Sequence, residues 1–210
     1  VRIATTGIGC IATGSAQDRG VACSILQTTG VEAPGSLGIA LSAKGEAIVI
    51  KYSANDVKEV IDFATPGKVA AFIAESIQGV GGFVEFPKDY LKHTYEHVRA
   101  AGGVCIADEV QTGLGRTGAP FRFQTIGWKP DLVSVGKALG GGVPVGAALL
   151  SERVAQAISY GDHGSTYGGN LLACRAAVFV LEQLMEHGLI DHVNAVGPHM
   201  ERRLRALALK

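Results

Sequence analysis

KDYLKHTYEHVRAAGGVCIAD, Lys88 to Asp108, is the stretch that decides the fold class. From Lys88 to Gly103 its apolar positions Tyr90, Leu91, Tyr95 and Val98 recur at helical spacing, and two glycines close the run. Val104 to Ala107 is then apolar throughout, too short for a helix and suited to a buried strand, and Asp108 follows at once.

The same alternation extends in both directions. Upstream, Val69 to Ala74 is a second buried strand, and Asn55 caps a short helix through Phe63 that ends before Pro66 and Gly67. Glu46 to Tyr52 reads as a strand before it. Downstream, Asp131 to Val135 and Val145 to Leu150 are further strands, and Ser151 caps a helix over Glu152 to Ile158. A long helix runs from about Asn170 to Glu186 and stops at His187 and Gly188; Asp191 to Lys210 is helical with a basic outer face. Strands that are apolar on both faces, alternating with helices, predict an α/β fold: a mostly parallel sheet covered by helices on both faces. The first forty-five or so residues are rich in Gly, Ala, Thr and Ser, show no clean period, and receive no assignment.

Composition narrows the function. Hydrophobic residues make up 47% of the 210, enough for a core and too many for a disordered chain. Basic and acidic side chains balance to a net charge of zero, so the basic footprint of a nucleic-acid protein is missing. The longest uncharged stretches, Ile3 to Gln17 and Ala138 to Ser151, are too short and glycine-rich to span a bilayer, and the first makes a poor signal peptide. Cys10, Cys23, Cys105 and Cys174 lie far apart, which points to neither a zinc site nor a disulfide framework. Cys105 and Cys174 read as small core hydrophobes in a reducing compartment, either the cytosol or a mitochondrial matrix. A start at Val1 rather than Met is what a processed or partial chain would show.

In an open α/β sheet, ligands sit beyond the carboxyl ends of the strands. Glu75 follows the strand ending at Ala74, Asp108 follows Ala107, and Lys137 comes just after Val135 and Gly136. Successive members are about one strand-and-helix crossover apart, roughly 30 residues, so all three should gather on one edge. Lys137, in VSVGKALGGG, has no charged residue nearby in sequence; an amine in apolar surroundings becomes a usable nucleophile toward aldehydes. An amine that forms a Schiff base, with a carboxylate that keeps a pyridinium nitrogen protonated, is the pair pyridoxal phosphate requires. The same spacing also fits an ordinary loop lysine and an N-capping aspartate.

IADEVQTGLGRTG (Ile106 to Gly118), PDLVSVGKALGGGVPVGAAL (Pro130 to Leu149) and HGSTYGGN (His163 to Asn170) resemble the class III pyridoxal-phosphate aminotransferases of fold type I. The resemblance runs from about Asp56 to the end, and AESIQGVGG (Ala74 to Gly82) looks most like the alanine–glyoxylate branch. It implies a transaminase that moves an amino group between an amino acid and a keto acid through a Schiff base on Lys137, working as a homodimer. Lys137 would also shuttle the proton, and Asp108 would pair with the pyridinium nitrogen. Val110 would pack on one ring face, Gln111 would reach the phenolic oxygen, and Glu75 would line the site. Thr166 would bind the cofactor phosphate of the partner subunit. A core valine at 110 and a plain turn residue at 166 are the simpler alternatives. Glu109 should point away from Asp108 as a structural residue.

The resemblance divides the chain into a divergent segment over 1–45, a cofactor-binding large-domain core over 46–186 and the helical start of a small domain over 187–210. It also has gaps. The family's Ser-Gly-Thr-Glu-Ala-like phosphate loop and its aromatic-His-Gly segment have no match in Val1 to Tyr52, and the small domain's carboxylate-binding arginine is absent. Val80 stands where ornithine-type members usually carry Glu, which tilts the expected substrates toward an alanine–glyoxylate pair. A catalytically silent fragment that completes a partner subunit, and a lyase or aminomutase on the same scaffold, are the competing readings.

Three further strings point elsewhere. Gly7 to Ala12 fits a G-x-G-x-x-A dinucleotide fingerprint but lacks a convincing helix after it. His93 and His97 share a helix face without the Glu of a metalloprotease motif, so no metal is expected. Arg202, Arg203, Arg205 and Lys210 read as the exposed face and C-terminal end of a helix, and Arg116 as an anion contact or a packing or loop residue.

Overall fold

The computed structural model describes residues 10–13, 22–27, 38–41, 47–50, 53–79, 83–162 and 164–208. Among the described residues, eight strands form one sheet: β1 Cys10–Thr13, β2 Ala22–Gln27, β3 Gly38–Leu41, β4 Ala47–Ile50, β5 Ala71–Glu75, β6 Val104–Asp108, β7 Leu132–Val135 and β8 Ala147–Leu150. Their order is β4-β3-β2-β1-β5-β6-β7-β8. The helices are α1 Ala54–Ala64, α2 Tyr90–Ala100, α3 Arg122–Thr125, α4 Glu152–Ala155, α5 Leu171–Met185 and α6 Leu189–Ala208, with a 3₁₀ turn at Lys137–Gly140.

The expected α/β class is what the chain adopts, in a mixed sheet. β5, β6 and β7 are parallel neighbours. β8 runs antiparallel to β7, because only Gly136 to Gly146 separates them, too short for the helical crossover a parallel return needs. The unassigned opening segment holds β1, β2 and β3, which pair antiparallel and join the sheet where β1 meets β5. Its apolar residues come in short groups broken by Gly, Ser and Thr, which hid the strand period. Cys10–Ala12 belongs to a strand and not to the start of a helix, so the dinucleotide fingerprint loses its helix; Gly7 to Gly9 lie outside the described residues.

α2 supplies the main packing surface. Tyr90, Leu91, Tyr95 and Val98 are all buried, as their spacing predicts. They pack with Phe72 and Ala74 of β5, Cys105 and Ala107 of β6, and Val57 and Ile61 of α1. Phe72 and Trp128 both meet the Tyr95 ring edge-on, at 6.0 and 4.5 Å between centroids. The helix ends where expected. Gly102 takes a left-handed φ of +83°, and a Cβ on Gly103 would stand 2.8 Å from Val98 Cγ1. Burial pushes the Cys105 thiol up to about 12, consistent with an inert core residue.

Tyr95 is 1% exposed and its hydroxyl has no hydrogen-bond partner among the described residues. Burial is the main cause that raises its pKa well above the ordinary phenol value, ahead of smaller charge effects from its neighbours. Tyr95→Phe removes an unsatisfied group while keeping the ring contacts, so urea unfolding should show stability unchanged or raised, by up to about 1 kcal/mol.

Three local expectations are corrected. α1 is capped by Ser53, whose Oγ accepts from Asn55 N at 3.2 Å, so Asn55 lies inside the helix. α4 stops at Ala155 rather than Ile158. Ser151 makes no side-chain cap, and the Asp162 carboxylate turns the chain by accepting from Ser159 N at 2.7 Å. Cys174 is exposed rather than core, because it sits on the outward side of α5 beside the exposed Leu171 and Leu172. The remaining long helices match their predicted spans closely, α5 beginning after an Asn170 side chain that accepts from Ala173 N.

Candidate functional site

The carboxyl edge of the parallel strands gathers the three predicted ionisable groups. Strand register sets Glu75 beside Asp108 and Asp108 beside Ser134, and Lys137 begins the turn after β7. The Lys137 ammonium donates to Gln111 Oε1 at 2.5 Å. Asp108 Oδ1 accepts from Val110 N at 3.0 Å and from Ser134 Oγ at 3.3 Å. Glu75 Oε2 accepts from Gly79 N at 2.9 Å. A Cβ on Gly79 would lie 2.3 Å from Gln111 Nε2, so a larger residue there would displace the Gln111 side chain that meets Lys137.

Lys137 departs from expectation in one respect. Its side chain is exposed and rests on an amide, not in apolar surroundings. Its backbone is unusual instead. Lys137 has a φ of +42°, a left-handed conformation that costs a non-glycine residue energy and recurs at functional sites. Val110 Cγ1 is placed 3.5 Å from the position of a Cβ on Gly136.

Glu75 is held above the ordinary carboxylate value chiefly by burial, with the Asp108 charge adding to it; the Gly79 N–H and Lys137 pull the other way. The folded state therefore keeps the Glu75 proton to higher pH than the unfolded chain, and stability falls as pH rises from about 4.5 through the folded value. Glu75→Gln keeps an acceptor for Gly79 N and removes this loss. The variant should melt slightly above the parent at pH 7, with the difference vanishing below about pH 4 in a thermal unfolding series.

Glu109 behaves as the structural residue expected on the far side of Asp108. It is 1% exposed and accepts four hydrogen bonds: from Ser76 Oγ, Thr112 Oγ1, Arg122 N and Phe123 N, at 2.5 to 3.1 Å. These donors belong to the segments after β5 and β6 and to the start of α3, so one carboxylate ties together the chain around the site. Glu109→Ala orphans two backbone N–H groups and should lower stability by about 3 kcal/mol in urea unfolding.

Thr166 lies in an exposed turn and makes no hydrogen bond to the Lys137 group. Arg116 is exposed, without an ion pair among the described residues. His93 pairs with Glu96 at 3.0 Å. Among the described residues no three His, Cys, Asp or Glu side chains converge as a metal site would require, and no helix is long and apolar enough to cross a membrane. Val80 and His163 lie outside the described residues. Sequence reasoning missed Ser134 and Gly79. Ser134 had a visible signal, as the one polar side chain in LVSV.

A lysine, two carboxylates and an amide side chain at the carboxyl edge of a parallel αβ layer define a protein built for chemistry on a small ligand. The chain belongs to the class-III aminotransferases, whose family model matches residues 26–210. It is 47% identical over 142 residues to an acetylornithine aminotransferase of Methanothermobacter thermautotrophicus, covering 68% of this chain and 36% of that enzyme. A human mitochondrial alanine–glyoxylate aminotransferase 2 is 43% identical over 145 residues, with 68% and 28% covered. Among solved structures, an ornithine aminotransferase from Plasmodium yoelii matches with a TM-score of 0.66 at 36% identity, covering 75% of this chain and 42% of that one. An S-selective transaminase from an Arthrobacter species, with alanine bound, matches with a TM-score of 0.70 at 30% identity, covering 80% and 37%. The chain thus spans less than half the length of these relatives. Fold type I is the fold of these neighbours, and the α/β sheet carrying Lys137 is this chain's share of it.

Proposed function

We propose that this chain carries the central part of a pyridoxal-phosphate aminotransferase, which moves an amino group between an amino acid and a keto acid. The observation that carries the reading is the Lys137 amine on Gln111, beside Asp108, at the open edge of the sheet. The residues fit the ring end of the cofactor. Asp108 uses only Oδ1 for internal hydrogen bonds, which leaves Oδ2 to accept from a ring N–H, and the Lys137 amine is exposed.

When bound, the cofactor supplies an aldehyde that condenses with amines and a ring that takes up electron density from the reacting carbon. Lys137 Nζ holds the aldehyde end and takes the proton from the donor's Cα. Asp108 keeps the positive charge on the ring nitrogen, and the Ser134 hydroxyl and Val110 amide hold Asp108 in place. Gln111 steadies the Lys137 amine and offers its Nε2 to the phenolic oxygen. Val110 packs beside the ring, and Glu75 orders the loop through Gly79. Thr166 serves the phosphate of a second subunit.

That pairing has support in the surface. Leu149 and Leu150 of β8 and Leu171, Leu172 and Phe179 of α5 are exposed apolar residues, suited to cover by a second copy in a homodimer. Residues 46–186 form the cofactor-binding core, and 187–210, mostly α6, open a small domain. Free, described cysteines fit the cytosol or a mitochondrial matrix equally.

The test is titration of the purified chain with pyridoxal phosphate, borohydride reduction and peptide mapping. Label on Lys137 alone supports the reading, while label scattered over surface lysines overturns it in favour of a silent fragment. Substrate profiling of the full-length protein, with alanine and acetylornithine as donors, then separates transamination from lyase or aminomutase chemistry.

A further inference from the structure

Three side chains at the end of β6 and just beyond it have different tasks: Asp108 ends the strand, Gln111 meets Lys137, and Thr112 meets Glu109. From Glu109 to Gly113 the chain closes one tight turn, with Gly113 N donating to Glu109 O at 2.9 Å. A Cβ on Gly113 would stand 2.7 Å from that same oxygen, so the turn has no room to open and reclose around a larger residue. Gln111 is the middle residue of the turn. Whatever holds the residues on either side of it sets where its amide points.

On one side, Val110 N donates to Asp108 Oδ1 at 3.0 Å. On the other, the tie is a side chain: Thr112 Oγ1 donates to Glu109 Oε2 at 2.6 Å. Both partners are buried, so this charge-assisted bond lies in a low-dielectric setting where it is strong. Glu109 is itself fixed from outside the turn, by Ser76 Oγ, Arg122 N and Phe123 N. The Thr112 hydroxyl therefore anchors the residue next to Gln111 to a carboxylate that is held in place. A half-buried amide on a long side chain would otherwise lose rotamer freedom each time it met Lys137.

We propose that Thr112 is a positioning residue: its hydroxyl, acting through Glu109, holds the turn that presents the Gln111 oxygen to the Lys137 amine. The inference rests on the reading of Lys137 as the reacting amine. Thr112 makes its side-chain hydrogen bond to Glu109 and not to Lys137, so its effect on the amine passes through Gln111.

The test reads Lys137 without the cofactor. Trace acetylation of the folded chain with acetic anhydride, followed by peptide mapping, gives the reactivity of Lys137 relative to the exposed Lys92 and Lys129 in the same digest. Acetylation removes the charge that the Gln111 oxygen stabilises, so it should run about threefold faster in Gln111→Ala. Thr112→Val should show the same rise, and Thr112→Ser, which keeps the hydroxyl, none. The double variant Thr112→Val/Gln111→Ala should rise no further, because both changes remove one interaction; a merely structural loosening would add to the effect of Gln111→Ala. Should Thr112→Val fail to fold, Thr112→Ala takes its place, since it sets no methyl group against the Glu109 carboxylate. Parent-like Lys137 reactivity in the folded variant, additive effects in the double variant, or unfolding of both Thr112→Val and Thr112→Ala overturns the proposal. Borohydride labelling with pyridoxal phosphate keeps the two readings apart: no label on Lys137 of the parent sinks the aminotransferase reading, while the acetylation cycle still decides whether Thr112 sets Gln111 on Lys137.

Discussion

Lys137→Ala abolishes borohydride-fixed labelling by pyridoxal phosphate and lowers transamination by the full-length protein roughly 10⁴-fold, the upper range for loss of a positioned acid–base group. The size follows from the two roles one amine plays. In the proposed reaction it would hold the aldehyde end of the cofactor and move the proton at the donor's Cα, and the neighbouring carboxylates and amide offer no second amine for the aldehyde. The backbone offers a control. Lys137 keeps a left-handed φ of +42°, which glycine adopts freely and other residues do not, so Lys137→Gly should be more stable than Lys137→Ala by about 1 kcal/mol. Equal stability of the two would mean that the strain is relieved elsewhere. Retained labelling in either variant, mapped to another lysine, would remove Lys137 from the chemistry.

The edge of the sheet was legible because each functional group follows an apolar strand immediately. Glu75, Asp108 and Lys137 could be set on one edge by counting crossovers, and the register of β5, β6 and β7 places them there. α2 was legible for a similar reason: four apolar side chains at helical spacing bury against a sheet, and glycines end the helix. β1 to β3 were not, since strands this short carry little period-two signal and β1 joins the sheet through β5, some sixty residues on. The direction of β8 depended on the length of a connection, a feature that hydrophobic pattern does not encode. Lys137 was expected in apolar surroundings because its sequence neighbours are apolar. In space its neighbour is Gln111, twenty-six positions away, and the side chain faces outward. Local sequence reports the strand a residue ends, not what the adjacent loops bring beside it.

Asp108→Asn separates holding the cofactor from using it. The amide keeps an oxygen to accept from Val110 N and Ser134 Oγ, so the turn after β6 should survive, with stability within about 1 kcal/mol of the parent. What is lost is the negative charge. A neutral side chain no longer keeps a positive charge on the ring nitrogen, and proton removal at the donor's Cα loses its electrostatic support. Turnover should fall roughly 10³-fold, the scale on which removing one preorganised electrostatic partner acts. Labelling of Lys137 should persist, since the amine itself is untouched. This pattern, label kept and turnover lost, is the opposite of Lys137→Ala, where both go. It also decides between the two sequence readings of Asp108. If Asp108 merely caps the turn, Asp108→Asn performs that task equally well, and turnover within tenfold of the parent would assign it a structural role. A thousandfold loss in a protein that unfolds at the parent's urea concentration assigns the effect to the charge and to the Oδ2 acceptor that carries it.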